Sequence, residues 1–273
     1  MSKVKKQHYL PQFYLRNFAD NAGRLCVVDS AIEADFIKSR VQDIAQGRYY
    51  YDFLGDKDNQ TLEKFFGKME GLLSPYFSEI IELAQAESPL LEIHKLAIHK
   101  FIELQFLRSD WMRHNISQDF IRSNFKEDYL EHGESLLHAY IIKERMLIDL
   151  MSYVPKYEFT VIQSEHANSL FTSSFPMFFS SEDDVSDVIK RLEDFRSSGR
   201  GSLDTNLFFP ISSNYCIYIY DINKPTTVLE GDWFSRFITS GFAWSHKRIY
   251  FRETALNTQL YPAMKPLLKL MSR

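Results

Sequence analysis

Glu158-Phe159-Thr160-Val161-Ile162-Gln163 decides the fold class. Polar ends and a largely alternating apolar interior give it the period-two pattern of a strand with one buried face. It follows a long stretch, residues 60 to 152, whose apolar side chains recur at helical spacing. Further strands read out after it at Ser169-Leu170-Phe171-Thr172, Leu207-Phe208-Phe209, Cys216-Ile217-Tyr218-Ile219-Tyr220 and Arg248-Ile249-Tyr250-Phe251. Helical patterns at 185–195 and 233–244 separate some of them. Strands that follow a helical block, rather than alternating with single helices, predict an α+β fold with a C-terminal mixed sheet and short helices.

Upstream, residues 1–58 read as a small β segment. Asn21-Ala22-Gly23 is a turn signal before the strand Arg24-Leu25-Cys26-Val27-Val28-Asp29. Phe36-Ile37-Lys38 and the aromatic run from Arg48 to Phe53 are its expected partners. Residues 59–155 form the helical region, with Ser74-Pro75 expected to interrupt or kink its first helix. A long helix is expected from Leu90 to about Ile116, and further helices at 117–125 and 135–151. Residues 156–273 complete one composite domain with no internal repeat.

Composition narrows the function. The chain has 273 residues, 45% hydrophobic and 25% charged, which excludes a disordered or collagen-like protein. A net charge of −4 gives no global basic field for nucleic acid, though a local basic groove is compatible with it. No stretch approaches the roughly 20 apolar residues of a membrane span, and no apolar run follows the basic start to make a signal peptide. Cys26 and Cys216 are the only cysteines, so reduced thiols and a cytoplasmic location are expected. Phosphate-cradling glycine motifs, Walker loops, nucleophile elbows and local metal-ligand spacings are all missing from the sequence. The cofactor is therefore left unknown.

The sharpest signal lies on the long helix. At about 100° per residue, His94, Gln105 and Arg108 fall in the column of Ala97, Ile98, Phe101 and Leu104. Lys95, His99, Lys100 and Glu103 fall on the opposite, solvated arc. A buried arginine must find an anion or several acceptors. Two readings stay open: an internal lock, with Arg108 paired to an acidic side chain, or a pocket where Gln105 and Arg108 bind a phosphate or carboxylate. Arg108 and His114 also fit the loose Arg-x(4–6)-His pattern of HEPN-type ribonucleases, a pattern short enough to occur about once by chance in a chain this size.

His8-Tyr9-Leu10-Pro11-Gln12-Phe13-Tyr14-Leu15-Arg16-Asn17-Phe18 resembles the opening signature of the DUF4238 family of uncharacterised, mostly bacterial proteins. Glu63 and Glu70 resemble its Glu…Glu helix, Phe101 to Arg108 its helix with a glutamine and an arginine, and Thr172-Ser173-Ser174-Phe175-Pro176 its Thr-Ser-Asp-x-Pro segment. Ser174 stands where the family has Asp. The resemblance implies no chemistry by itself, but it singles out polar residues from all three regions.

Those residues define the expected site. His8, Arg108 and His114 are the catalytic candidates; Gln12, Gln105, Ser173 and Ser174 are the binding candidates; no metal is expected. The expected function is an enzyme or effector acting on RNA or a nucleotide, in a bacterial phage-defence setting, with a homodimer compatible and no membrane partner. The alternative is a non-catalytic interaction protein whose His/Gln/Arg cluster is structural. In either case His8 to Pro11 should be extended and docked beside Gln105 or Arg108, because Pro11 restricts Leu10 to extended geometry. Residues 1–7 read as dispensable.

Overall fold

A computed structural model describes residues 3–29, 36–52, 60–109, 157–180, 206–223, 233–244 and 248–257. The expected helices at 117–125, 135–151 and 185–195, and His114, lie outside the described residues. The fold is α+β.

The chain enters as strand β1 (Lys6–His8), crosses Pro11 into the short helix α1 (Gln12–Arg16), and turns into β2 (Arg24–Asp29). β3 (Ile37–Arg40) and β4 (Gln46–Arg48) follow. Two helices come next, α2 (Thr61–Gln85) and α3 (Glu92–Arg108). The later strands are β5 (Tyr157–Gln163), β6 (Phe171–Ser173), β7 (Phe178–Ser180), β8 (Asn206–Pro210), β9 (Tyr215–Asp221) and β10 (Arg248–Phe251). Helix α4 (Trp233–Trp244) precedes β10.

β1 pairs with β4; β3-β2-β10-β6 form one four-stranded sheet and β5-β9-β8-β7 another. Every pairing among the described strands is antiparallel, so the expected mixed sheet is corrected. Of the N-terminal strands, β1 and β4 form a two-stranded sheet of their own, while β2 and β3 join strands from the far part of the chain. β2 pairs with β10, joining the two ends of the chain.

Three local expectations are also corrected. Tyr49-Tyr50-Tyr51 is a turn rather than a strand, and Tyr49 has φ 52°. The turn drops Tyr50 and Tyr51 into the core, where Tyr51 packs on Phe66 at 4.8 Å. α2 runs unbroken through Pro75, because Leu73, Phe77 and Ile80 are buried on one face while Pro75 sits on the exposed one. Packing of the apolar face outweighs the single hydrogen bond that proline removes. α3 ends at Arg108, well short of Ile116. Glu103, expected on the solvated arc, is buried and pairs with Lys100 one turn before it at 2.7 Å.

Tyr14 shows how α1 is fixed. Its ring lies 5.1 Å from Phe101 and stacks on Phe209 at 5.8 Å. Its hydroxyl donates to the Pro210 carbonyl at 2.6 Å and shares a bond with Thr172 Oγ1 at 2.8 Å. Helix α3 and both four-stranded sheets thus meet at one side chain. No helix among the described residues is long and apolar enough to cross a membrane.

Candidate functional site

Arg108 is 1% exposed, and its charge is matched entirely by protein. Nε donates to the Tyr9 carbonyl at 3.0 Å, NH2 to the His8 carbonyl at 2.6 Å, and NH1 to Glu70 Oε1 at 2.8 Å. The guanidinium also lies 4.9 Å above the Phe66 ring. Burial works against its charge, but Tyr51, Glu70 and Glu63 outweigh that and hold it firmly protonated. Gln105, equally buried, completes the lock. In the amide orientation its neighbours demand, it donates to the Tyr9 carbonyl at 3.1 Å and accepts from Arg108 Nε at 3.3 Å.

This lock fixes the main chain at His8 and Tyr9, because α3 supplies donors to two carbonyls that the bend before Pro11 leaves outside the β1–β4 ladder. Gln7 anchors the other side. Its Nε2 donates to Asp52 at 2.7 Å, and its Oε1 accepts from the Tyr51 amide at 2.6 Å.

With its backbone held, the His8 side chain turns the other way, onto a cavity of about 430 Å³ between β1, α1 and α2. Gln12, Phe13 and Arg16 of α1 line one wall, and Glu63, Gly67, Glu70, Gly71 and Ser74 of α2 the other. The α2 residues share one face because helical neighbours recur every three or four positions. Lys6 stands at the rim and pairs with Asp43 at 3.3 Å. Arg16 donates to Gln12 Oε1 at 3.2 Å, which turns the Gln12 amide N–H toward His8 Nε2 at 3.5 Å. Nε2 is then the acceptor, and the imidazole proton belongs on Nδ1.

Two of the titratable groups that line this cavity, His8 and Glu63, are shifted toward each other. Partial burial lowers the His8 pKa below 6.5; a backbone contact at Gln42 and the Glu70 charge oppose it, while Arg108 and Lys6 assist. Burial pushes Glu63 up to about 7, against the pull of Arg108 and with help from Glu70 and Asp52. Near neutral pH the site therefore holds a neutral imidazole and a carboxyl poised between its two forms.

His8 and Gln12 thus face the open cavity, while Gln105 and Arg108 lie sealed behind His8. Ser173 and Ser174 are elsewhere, in and just after β6. Ser173 Oγ donates to the Phe175 carbonyl at 2.6 Å and accepts its amide at 3.1 Å, closing a local turn. Ser174 donates its amide to the Arg248 carbonyl at 3.0 Å, and its buried Oγ has no hydrogen-bond partner among the described residues. Neither serine bonds to His8, Gln12, Gln105 or Arg108 among the described residues. Glu63 and Arg16 were not expected at the site. The signal for Glu63 was the seven-residue spacing to Glu70, which puts both carboxylates on one helix face.

The Protein of unknown function (DUF4238) family matches residues 6–244, a span that takes in β1, the Arg108 lock and every described strand except β10. The chain belongs to the DUF4238 family. No curated protein and no solved structure matches it. Within this DUF4238 chain, the signature His8-Tyr9-Leu10-Pro11-Gln12 has a physical division of labour. Tyr9 and Leu10 fill the core, the His8 and Tyr9 carbonyls receive Arg108, and the His8 and Gln12 side chains face the cavity.

Proposed function

We propose that the chain is an acid–base enzyme acting on a phosphate-bearing substrate, RNA or a nucleotide, at the cavity between β1, α1 and α2. The observation that carries this reading is that His8 and Glu63 open onto the same cavity, with Arg16 at its wall and without a carboxylate partner among the described residues. Phosphate is tolerated there because Arg108 compensates Glu70 and burial favours the protonated form of Glu63.

On RNA, neutral His8 takes the proton of a ribose 2′-hydroxyl. The 2′-oxygen bonds to phosphorus, and the P–O5′ bond breaks. Protonated Glu63 gives its proton to the departing 5′-oxygen, leaving a 2′,3′-cyclic phosphate. Arg108 is a positioning residue in this scheme, acting through the His8 carbonyl. His114 remains a catalytic candidate by sequence alone, and the setting we assign is phage defence in the bacterial cytoplasm. The two buried, free thiols support a reducing compartment.

The test is cleavage of an RNA oligonucleotide by the purified chain, with DNA of the same sequence as control. His8→Ala and Glu63→Gln should stay folded and lose on the order of 10²-fold or more in rate. An uncut RNA, or full activity in His8→Ala, refutes the scheme. A second reading, a non-catalytic interaction protein, is favoured by one observation: the Arg108 bonds are all satisfied internally. It predicts that His8→Ala changes stability and nothing else.

A further inference from the structure

We infer that this cavity binds a nucleoside phosphate whose base carries an exocyclic amine, with the base on the Gly67–Gly71 face of α2 and the phosphate at Arg16. The inference rests on the proposed phosphate-directed function and adds the identity of the base.

Three observations carry it. The first is shape. A volume of about 430 Å³ falls within the roughly 300–1,000 Å³ of small-molecule sites. A Cβ added at Gly67 or Gly71 would meet nothing within 4 Å, so the α2 wall is bare backbone facing open space. Phe13, half-buried, also lines the cavity and provides apolar surface for a flat ring, while Phe66 closes its floor with its ring covered by Arg108 and Tyr51.

The second is charge. Lys6 is paired with Asp43 and Glu70 with Arg108, which leaves Arg16 as the wall cation held only by the neutral Gln12 among the described residues. An arginine on an open wall suits a phosphate, which its planar fork can bind through two oxygens.

The third is a backbone acceptor. Pro75 lies inside α2 and has no N–H, so the carbonyl of Gly71, four residues before it, loses its helical donor. Gly71 itself lines the cavity. A carbonyl without its donor accepts a hydrogen bond from an amine and repels a ring carbonyl. Adenine and hypoxanthine differ at that position, amine against carbonyl, and at the neighbouring N1, a bare acceptor in adenine and an N–H in hypoxanthine.

The experiment is calorimetric titration of the full chain with AMP, IMP, ribose 5-phosphate and inorganic phosphate. AMP should bind about tenfold more tightly than IMP, the value of one neutral hydrogen bond. Pro75→Ala restores the helical donor to Gly71 and should bring the AMP/IMP ratio close to one, with ribose 5-phosphate affinity unchanged. Arg16→Ala should weaken all the phosphates while keeping the ratio. Should Pro75→Ala fail to fold, Gly71→Leu, which fills the open wall, should remove AMP binding and leave inorganic phosphate binding in place. Equal binding of AMP and IMP, a ratio indifferent to Pro75→Ala, or no binding of any of the four overturns the inference. RNA cleavage that depends on His8 would survive the first two results, so a wrong base assignment is separable from a wrong function.

Discussion

At the scale of single residues, the cluster divides into a dry half and a wet half. Arg108 belongs to the dry half. Removing it strands the Glu70 carboxylate and leaves the His8 and Tyr9 carbonyls without their strongest donors. Arg108→Ala is therefore expected to destabilise by about 3–5 kcal/mol, measured by denaturant unfolding. Arg108→Lys should recover little of this, because one ammonium cannot reach three acceptors set in a planar fork. The wet half is tested through pH. Glu63 has a raised pKa in the folded chain, so its contribution to stability is full below the ordinary carboxylate value and lost as pH rises through about 7. His8 has the opposite sign: its pKa is lowered, so its contribution is present above 6.5 and lost as pH falls through its folded value. Glu63→Gln should consequently show a smaller loss of melting temperature than the parent chain between about pH 5 and 7.5. An identical pH dependence in both proteins would remove Glu63 from the titrating groups. The burial of Arg108 and Gln105 was legible in the sequence, because helical spacing places them in an apolar column. The docking of His8 to Pro11 beside them and an acidic partner for Arg108 were expected too; which atoms accept was not, since Tyr9 and His8 contribute main-chain carbonyls that no side-chain pattern marks.

At the scale of elements, local pattern succeeded where one residue set decided the outcome and failed where packing overrode propensity. Trp233–Trp244 and Arg248–Phe251 form the helix and strand their periodicities predict. Pro75 breaks nothing, because its helix is held by buried Leu73, Phe77 and Ile80. The triple tyrosine has high strand propensity, yet it turns so that two rings reach the core. β1 shows the same lesson in energetic form. The sequence offers nothing to hold residues 1–7, but Gln7 is fully buried and bonded to Asp52 and to the Tyr51 amide. Gln60 joins in, accepting from the Val4 amide and donating to the Val4 carbonyl, each at 2.9 Å. Deleting residues 1–7 takes the Gln7 acceptor from the buried Tyr51 amide, at about 1–3 kcal/mol, and leaves Asp52 with the Gln60 amide at 3.2 Å in place of two donors. Deleting residues 1–19 also removes Tyr9, Tyr14, Leu15 and Phe18, whose burial stabilises by roughly 1.5–3 kcal/mol each. The longer deletion is expected to be unfolded by circular dichroism, and the shorter one folded with a lower melting temperature. A 1–19 deletion that melts like the full chain would show that β1 and α1 are not part of the cooperative structure.

At the scale of the whole molecule, the question is whether the two four-stranded sheets open together. The connections argue that they do. β10, near the far end of the described chain, zips onto β2 near its start. Arg252 then binds the Ala19 carbonyl, donating from Nε at 2.8 Å and again from NH2, while NH1 donates to Asn168 at 3.0 Å. Tyr14 bonds to β6 of one sheet and β8 of the other. We propose on these grounds that the chain behaves as one composite domain. The cysteines supply the measurement, because nature has placed one in each sheet. Cys26 lies in β2 and Cys216 in β9; both are free and 0% exposed. Burial pushes the Cys26 thiol up to about 11 and raises the Cys216 thiol well above its ordinary range, so neither reacts while folded. Each can be labelled only when its sheet opens. If opening is global, a thiol reagent under native conditions should modify both cysteines with the same opening free energy, and that value should equal the free energy from denaturant unfolding. Separate opening gives two values, the lower one naming the weaker sheet. Arg252→Ala should then lower both in step if the sheets are coupled, and only the Cys26 value if they are not.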